Sequence, residues 1–421
     1  MQTRGATSET RDGLRNNMRG LMSLALASCL AVTTEMLPVG LLPVIGQSLG
    51  VTESATGLLV SLYAGMVAVL AVPMTIATRS LPRKPLLLAT LFGYIVSNIL
   101  VATAPSIAFV ATGRVIGGVA HALFFSLCIG YVPRLVGPAN IGRGLALAAG
   151  GATAGYVLGV PLSTSLGSVL GWRTSFVVLA VLSALTFALV ARLLPSVPAG
   201  TESKPARRGH AQLAAVVSSN ALTFLGHYTL YTYISVLLLT AGARESAIGP
   251  LLLVCGVCGL IGLWLAGRTL DRSPRRTTLT VLGVVVCALL AVGATHLWLV
   301  PVILAAAVWS GAFGGVPSLY QSAAVRTGTT SPELAGAWIN ATSNIGIAGG
   351  AALGGAVLPI AGVNGLAWTG AGFVAFGLVV ALACRRAFPP SETTDRGLGH
   401  PGDARDCGAA RVIRAAPQMK Q

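Results

Sequence analysis

A glutamate, an arginine and a histidine lie inside apolar segments of the sequence, and proton exchange is the chemistry that they suggest. Glu35 is such a residue, and an isolated carboxylate is costly to bury in hydrocarbon, so it is a functional candidate by default. Arg114 lies in another apolar segment, and His121 follows it by seven residues, two helical turns along the same face. We predict proton coupling by Glu35, Arg114 and His121. The alternatives are a static charge pair that assembles the helices and a neutral, hydrogen-bonded histidine.

A second group of residues has the chemistry of a substrate surface. His227 also lies in an apolar segment, and Tyr231 follows it by one helical turn, with Tyr228 adjacent. Aromatic rings with a few hydrogen-bonding groups suit a substrate that is partly apolar. The remaining candidate substrate contacts are Tyr63, Gln321, Asn340 and Asn344. Packing and hydrogen bonding between helices are the alternative role of these side chains.

Composition places these residues in a membrane. Of 421 residues, 54% are hydrophobic and 10% charged, whereas a soluble globular domain carries about 25% charged residues. The net charge is +16, but the basic residues punctuate apolar runs and form no patch, so no nucleic-acid partner is predicted. Cys255 and Cys258 form a lone CxxC within an apolar segment, which predicts packing and no metal site. Without a phosphate loop or a nucleophile–base arrangement, neither an enzyme nor a cofactor is expected.

Twelve apolar segments are long enough to cross a bilayer as helices, which takes about 20 residues. They are 21–45, 54–78, 86–104, 107–131, 144–168, 174–194, 213–240, 247–267, 277–296, 299–323, 335–360 and 366–384. The polar linker 195–212 divides an amino-terminal half, 20–194, from a carboxy-terminal half, 213–384. Segments 1–19 and 385–421 are polar, and the carboxy-terminal one is predicted to be a disordered tail.

The basic residues predict the orientation of the spans. An even number of spans puts both termini on one side, and most Lys and Arg residues fall in connections on that side. Arg173 and Arg244 fall on the other side. The positive-inside rule therefore predicts that both termini are cytoplasmic.

The two halves form a repeat with a spacing of 192 residues. Ser273–Arg276 follows the similar segment Leu81–Lys84 by this distance, and His227 follows Glu35 by the same distance. Because 192 residues contain six spans, the halves have the same orientation. Parallel repeats about an axis along the membrane normal are a transporter architecture, with the substrate site between the halves. The sequence therefore predicts an all-α membrane protein, with twelve transmembrane helices arranged as two parallel six-helix repeats around a central cavity.

Four segments resemble motifs of one family, the major facilitator superfamily. Gly267–Arg276 (GRTLDRSPRR) resembles its loop signature, although Arg79 stands where the first-half copy usually has aspartate. Gly155–Pro161 (GYVLGVP) and Gly113-Arg114 resemble motifs of its drug:proton antiporter branch. Thr34–Pro43 (TEMLPVGLLP) is similar to the first span of bacterial chloramphenicol-efflux and sugar-efflux proteins.

The resemblance implies a monomeric secondary transporter of the bacterial cytoplasmic membrane. It implies export of a small amphipathic molecule such as chloramphenicol in exchange for protons, with the substrate, protons and the lipid bilayer as partners. A sugar exporter of the same fold is the alternative within transport, and a sensor or scaffold without transport is the alternative outside it. Residues with a predicted role in gating are Gly155, Gly159, Pro161, Gly267, Asp271, Arg272, Arg275 and Arg276.

Overall fold

The computed structural model describes residues 17–78, 80–136, 141–197, 210–270, 272–330, 332–385 and 387–388. Arg79, Asp271 and most of the predicted linker, amino-terminal segment and tail lie outside the described residues. Every regular element within the described ranges is a helix. The predicted all-α class is therefore confirmed.

Twelve spans follow from the helices. Ten helices are long and apolar enough to cross a membrane, and a pair bent by 41° forms an eleventh span. The longest helix changes direction at Gly362, whose φ of 62° and ψ of −168° suit glycine, so this helix contains two spans. In chain order, the helices of spans 1–12 are Met18–Leu49; Glu53–Ala77; Arg83–Ala102; Ile107–Leu135; Ile141–Ala154 with Gly155–Gly159 and Val160–Leu170; Trp172–Leu193; His210–Tyr231 with Ile234–Thr240; Glu245–Leu270; Pro274–Thr295; Leu299–Gly314 with Val316–Arg326; and Pro332–Ala383, divided into spans 11 and 12.

Glycines allow close helix pairing within each half. Span 1 packs against span 5, where a side-chain carbon at Gly155 would come within 2.5 Å of the Cys29 carbonyl oxygen. Span 7 packs against span 11 in the same way, and such a carbon at Gly350 would lie 2.5 Å from the Leu225 carbonyl oxygen. Small residues let two helix backbones approach closely, so these pairs fix the position of the two helices that carry Glu35 and His227.

Two contacts between the halves join span 1 to span 7, one at mid-depth and one toward one face of the bundle. We call the face where span 1 begins the terminal side and the opposite face the distal side. The Tyr228 hydroxyl of span 7 lies 3.8 Å from the Met36 sulfur of span 1. Toward the distal side, the Ser235 hydroxyl donates to the Val39 carbonyl at 3.0 Å. Met36 and Tyr228 are 192 residues apart, so these repeat-equivalent positions meet where a two-fold axis between the halves would run.

Candidate functional site

Arg114 binds the main chain of span 1 and does so where a proline has removed a helical hydrogen bond. Pro38 has no N–H, so the Thr34 carbonyl four residues earlier lacks its usual partner. Arg114 Nη1 donates to that carbonyl at 2.7 Å, and Nη2 donates to the Glu35 carbonyl at 2.6 Å. Arg114 Nε donates to the Leu59 carbonyl of span 2 at 3.3 Å. The arginine therefore joins spans 1, 2 and 4 at the depth of Glu35.

The Glu35 carboxylate is directed to a histidine. Its Oε2 lies 3.5 Å from His121 Nε2, and both side chains are buried. Its Oε1 has no hydrogen-bond partner among the described residues. Glu35 and Arg114 thus lie at one depth, and the hydrogen bonds that join them run through the main chain of Glu35. A carboxyl group with one distant partner is free to change its protonation state without breaking a bidentate ion pair.

Tyr63 links the histidine to the arginine. Its hydroxyl lies 3.0 Å from His121 Nδ1, and the Arg114 guanidinium lies 4.1 Å from its ring centroid. Tyr63 is fully buried within the bundle. We call Glu35, Tyr63, Arg114 and His121 the proton cluster, after the proton coupling predicted for Glu35, Arg114 and His121. The substrate contact predicted for Tyr63 stays a prediction. Each His121 nitrogen has one neighbour, the Tyr63 hydroxyl at Nδ1 and the Glu35 carboxyl group at Nε2. In either tautomer of the neutral ring, one nitrogen can donate a hydrogen bond and the other can accept one.

The equivalent position in the other half is occupied by aromatic residues. His227 is stacked on Phe313 of span 10, with ring centroids 3.4 Å apart and an interplanar angle of 11°. The Tyr231 ring stacks on the His227 ring with centroids 5.0 Å apart, and the Trp309 ring centroid lies 4.8 Å from that of His227. His227 Nδ1 has no hydrogen-bond partner among the described residues. We call His227, Tyr228, Tyr231, Trp309 and Phe313 the aromatic cluster.

Tyr228 places the aromatic cluster next to the amino-terminal half. Its hydroxyl lies 3.3 Å from the Tyr156 hydroxyl of span 5, and also near the Met36 sulfur. Met36 directly follows Glu35 in span 1. The proton cluster and the aromatic cluster therefore lie on either side of the interface between the halves, and span 1 contacts both through the neighbouring residues Glu35 and Met36.

A second proline of span 1 creates a contact between the halves. Pro43 has no N–H, so the Val39 carbonyl lacks its helical partner. The buried Ser235 hydroxyl of span 7 donates to that carbonyl. We call this bond the distal latch, because it exists only while the two halves are together at this level.

Among the residues predicted to act in gating, Gly155, Gly159 and Pro161 lie at an irregular turn. Gly155–Gly159 is π-helical, and the Val160 N–H bonds to the Gly155 carbonyl five residues earlier. Such turns are frequent at functional sites. A side chain at Gly159 would overlap the Thr33 hydroxyl, so glycine is required for the contact with span 1.

The loop-signature residues lie at the terminal side. Arg275 donates to the carbonyls of Ala381 and Leu382 at the end of span 12, within its own half. Arg272 and Arg276 are exposed, and Gly267 has open space beside it. Asp271 lies outside the described residues. Among the described residues, Arg275 is the signature arginine that forms hydrogen bonds, and it caps the end of span 12. A gating role for these residues stays a prediction.

The predicted amide contacts lie in spans 10 and 11. Asn344 Nδ2 donates to the main-chain carbonyl of Asn340 at 3.0 Å and to its side-chain oxygen at 3.3 Å, so this pair bonds along one helix. Gln321 is half-buried beside Gly336 of span 11. Their contact with a substrate stays a prediction.

Several residues of the site were not predicted. Trp309 and Phe313 were missed, although they are four residues apart in the middle of a predicted span, which places them on one face. Ser235 and Tyr156 were also missed. The prolines of the motif TEMLPVGLLP were the available signal for the bonds that Arg114 and Ser235 make, because each proline leaves one carbonyl without a partner.

Known proteins similar to this chain identify its family. The family model described as Major Facilitator Superfamily matches residues 24–331. A chloramphenicol efflux pump of Mycobacterium tuberculosis is 34% identical over 351 residues, 80% of this chain and 84% of that protein. A probable sugar efflux transporter of Mannheimia succiniciproducens is 29% identical over 354 residues, 83% of this chain and 89% of that protein. A crystal structure of a bacterial homolog to the human lysosomal transporter Spinster, inward-facing and occupied, has the same fold, with a TM-score of 0.70 at 15% identity over 87% of this chain and 96% of the other. As its motifs predicted, the chain belongs to the major facilitator superfamily.

Proposed function

We propose that this transporter exports small amphipathic organic molecules, chloramphenicol among them, in exchange for protons. The observation that carries the proposal is the buried Glu35 carboxyl group, which faces His121 at 3.5 Å and has one oxygen without a partner among the described residues. A carboxyl group in this position can be loaded and unloaded without dismantling a structural ion pair. The 34% identity to a chloramphenicol efflux pump supports the substrate class.

Proton movement can use the histidine as a relay. When Glu35 is protonated, its hydroxyl can donate to His121 Nε2, and the Nδ1 hydrogen then donates to the Tyr63 oxygen. When Glu35 is ionised, the neutral ring can carry its hydrogen on Nε2 and donate to the carboxylate, while the Tyr63 hydroxyl donates to Nδ1. Both states satisfy the ring, so the proton on Glu35 can change without a large rearrangement. Arg114 holds span 1 in register in both states through its bonds to Thr34 and Glu35.

The aromatic cluster supplies the substrate surface. Stacked rings of His227, Tyr231 and Phe313 bind apolar or aromatic groups through their faces, and the Tyr228 hydroxyl offers a hydrogen bond. Span 1 carries Glu35 and contacts this surface through Met36, so proton and substrate compete through the position of one helix. Because the proton and the substrate are then bound in different conformational states, each half-cycle carries one of them across the membrane, and the result is exchange of substrate for protons.

Alternating access requires the halves to separate at the distal side. The structure holds them together there through the distal latch and through Tyr228, which contacts both Tyr156 and Met36. We assign this arrangement to the state in which the central site opens to the terminal side. The excess of Lys and Arg in the terminal connections supports a cytoplasmic location for that side.

Reconstituted transport tests the function. The purified chain is placed in liposomes with an imposed pH gradient, and uptake of chloramphenicol and of a panel of sugars is measured with and without a proton uncoupler. We expect chloramphenicol movement that the uncoupler abolishes, and Glu35→Gln should lose it while inserting normally. Sugar movement without chloramphenicol movement would establish the alternative exporter, and no movement of either would favour a sensor or scaffold.

A further inference from the structure

A groove on the outside of the carboxy-terminal half lies apart from the site between the halves. Spans 8 and 9 both pack against span 10 and contact each other little, which leaves a cavity of about 550 Å³ between them. Ile261 and Leu265 line this cavity, and 53% and 51% of these apolar side chains are exposed. Exposed apolar surface of this kind marks contact with a membrane or a partner, and in a membrane-spanning bundle this face meets lipid.

One end of the groove is polar. Ser273, Arg276, Thr277 and Thr280 line it where span 9 begins, at the terminal side. Arg276 is exposed and makes no hydrogen bond or ion pair with any residue that the structure describes, unlike Arg275, which caps span 12. The Ser273 side chain does not cap span 9. A guanidinium and a hydroxyl that have no partner among the described residues therefore lie at the mouth of an apolar groove.

The start of span 9 adds to this positive potential. The helix Pro274–Thr295 begins at the groove mouth without a side-chain cap and without an acidic residue in its first turn. The unpaired N–H groups of a helix start and its dipole favour a negative charge. Helix and arginine therefore favour the same ligand, an anion located at the membrane boundary.

We propose that this groove binds an anionic phospholipid of the leaflet on the terminal side. Its phosphate contacts Arg276 and the Ser273 hydroxyl, and one acyl chain lies along Leu265, Val281 and Val284. Ser273 and Val284 are eleven residues apart, which is about 16 Å of helix. This is about half of a ~30 Å hydrocarbon core, so the groove spans the depth of one leaflet.

The charge and shape of the groove select this ligand. Arginine binds phosphate through two parallel N–H bonds, and basic pockets between transmembrane helices bind acidic head groups. The deeper lining residues Cys258, Val308 and Ala312 suit an acyl chain and offer little to a hydrophilic molecule. A free phosphate ion would use the mouth of the groove only.

Native mass spectrometry of the full chain in detergent tests the proposal. The purified protein is titrated with phosphatidylglycerol, with phosphatidylcholine and with inorganic phosphate, and bound lipid is counted. Phosphatidylglycerol should bind at least about fivefold more tightly than phosphatidylcholine, and Arg276→Gln should remove that preference. The matched control is Arg268→Gln, because Arg268 is also exposed at the terminal side but stacks on Trp264 at 3.7 Å and does not line the groove.

Each outcome decides for or against the lipid site. Thr280→Trp fills the groove from an exposed position and leaves Arg276 in place, so it should weaken the binding of both lipids. This variant tests the site even if Arg276→Gln fails to fold. If Arg276→Gln and Arg268→Gln reduced the preference for phosphatidylglycerol equally, general charge attraction would explain the binding and the proposal would be overturned. Equal binding of the two lipids would also overturn it, and so would binding of inorganic phosphate alone as tight as that of phosphatidylglycerol.

Discussion

The distal latch makes a prediction that depends on a single carbonyl. Ser235→Ala removes the hydroxyl that donates to the Val39 carbonyl at 3.0 Å, and Pro43 cannot replace it. A buried carbonyl without a partner costs about 1–3 kcal/mol. That cost applies only while the halves are together at the distal side, because separation exposes the carbonyl to water. The variant should therefore shift the equilibrium toward the distal-open state by about 5- to about 150-fold.

Hydrogen exchange on the protein in lipid nanodiscs measures this shift. Amides of Ile234–Thr240 should exchange faster in Ser235→Ala, because the distal-open state exposes that helix. Thr240→Val is the matched control, since the Thr240 hydroxyl is exposed and bonds to the Val236 carbonyl of its own helix. It should leave exchange near the wild-type rate.

A second substitution separates the latch from a general packing effect. In Pro43→Ala, residue 43 regains an N–H that can bond to the Val39 carbonyl. Ser235→Ala made in that background should then shift the equilibrium by only about twofold, since the net contribution of a hydrogen bond can be as small as about 0.5 kcal/mol. An equal shift of the equilibrium in both backgrounds would show that the Val39 carbonyl is not the cause, and no shift in the wild-type background would exclude the latch.

Three further predictions concern the two clusters. Arg114→Lys keeps the charge but cannot donate to three carbonyls in a fixed geometry, so efflux should fall at least about tenfold in vesicles, and a rate near wild type would show that charge alone matters. His121→Phe should slow pH-driven exchange while substrate binding stays within about twofold, as measured by equilibrium dialysis; an unchanged exchange rate would remove the histidine relay. Phe313→Leu should weaken substrate binding by about 0.5–1.5 kcal/mol, the value of an aromatic pair, in isothermal titration, and unchanged affinity would move the substrate away from this ring.

The sequence predicted the spans because hydrophobic length is a local property. It did not predict the bend of span 7 near Tyr233 or the break of span 10 at Gly315, since a local change of backbone direction leaves the mean hydropathy of a span unchanged. The division between spans 11 and 12 fell within the predicted gap 361–365, where Gly362 lies.

The sequence predicted the level of the candidate site within the membrane, but it did not predict which atoms are in contact there. Counting about 1.5 Å per residue from each end of the helices puts Glu35 and Arg114 at one level. Which atoms meet depends on side-chain direction and on which carbonyls lack partners, and here Pro38 directs the guanidinium to Thr34. The stacking of His227 on Phe313 depends on the packing of span 7 against span 10, which no local pattern encodes.

Proton release on substrate binding measures whether Glu35 carries the exchanged proton. The purified transporter in weakly buffered detergent solution, with a pH indicator, is mixed with saturating chloramphenicol under conditions in which Glu35 begins protonated. Wild-type protein should release a proton for each substrate bound, and Glu35→Gln should bind chloramphenicol and release none. Release of the same number of protons by Glu35→Gln would contradict the account, because another group would then carry the exchanged proton.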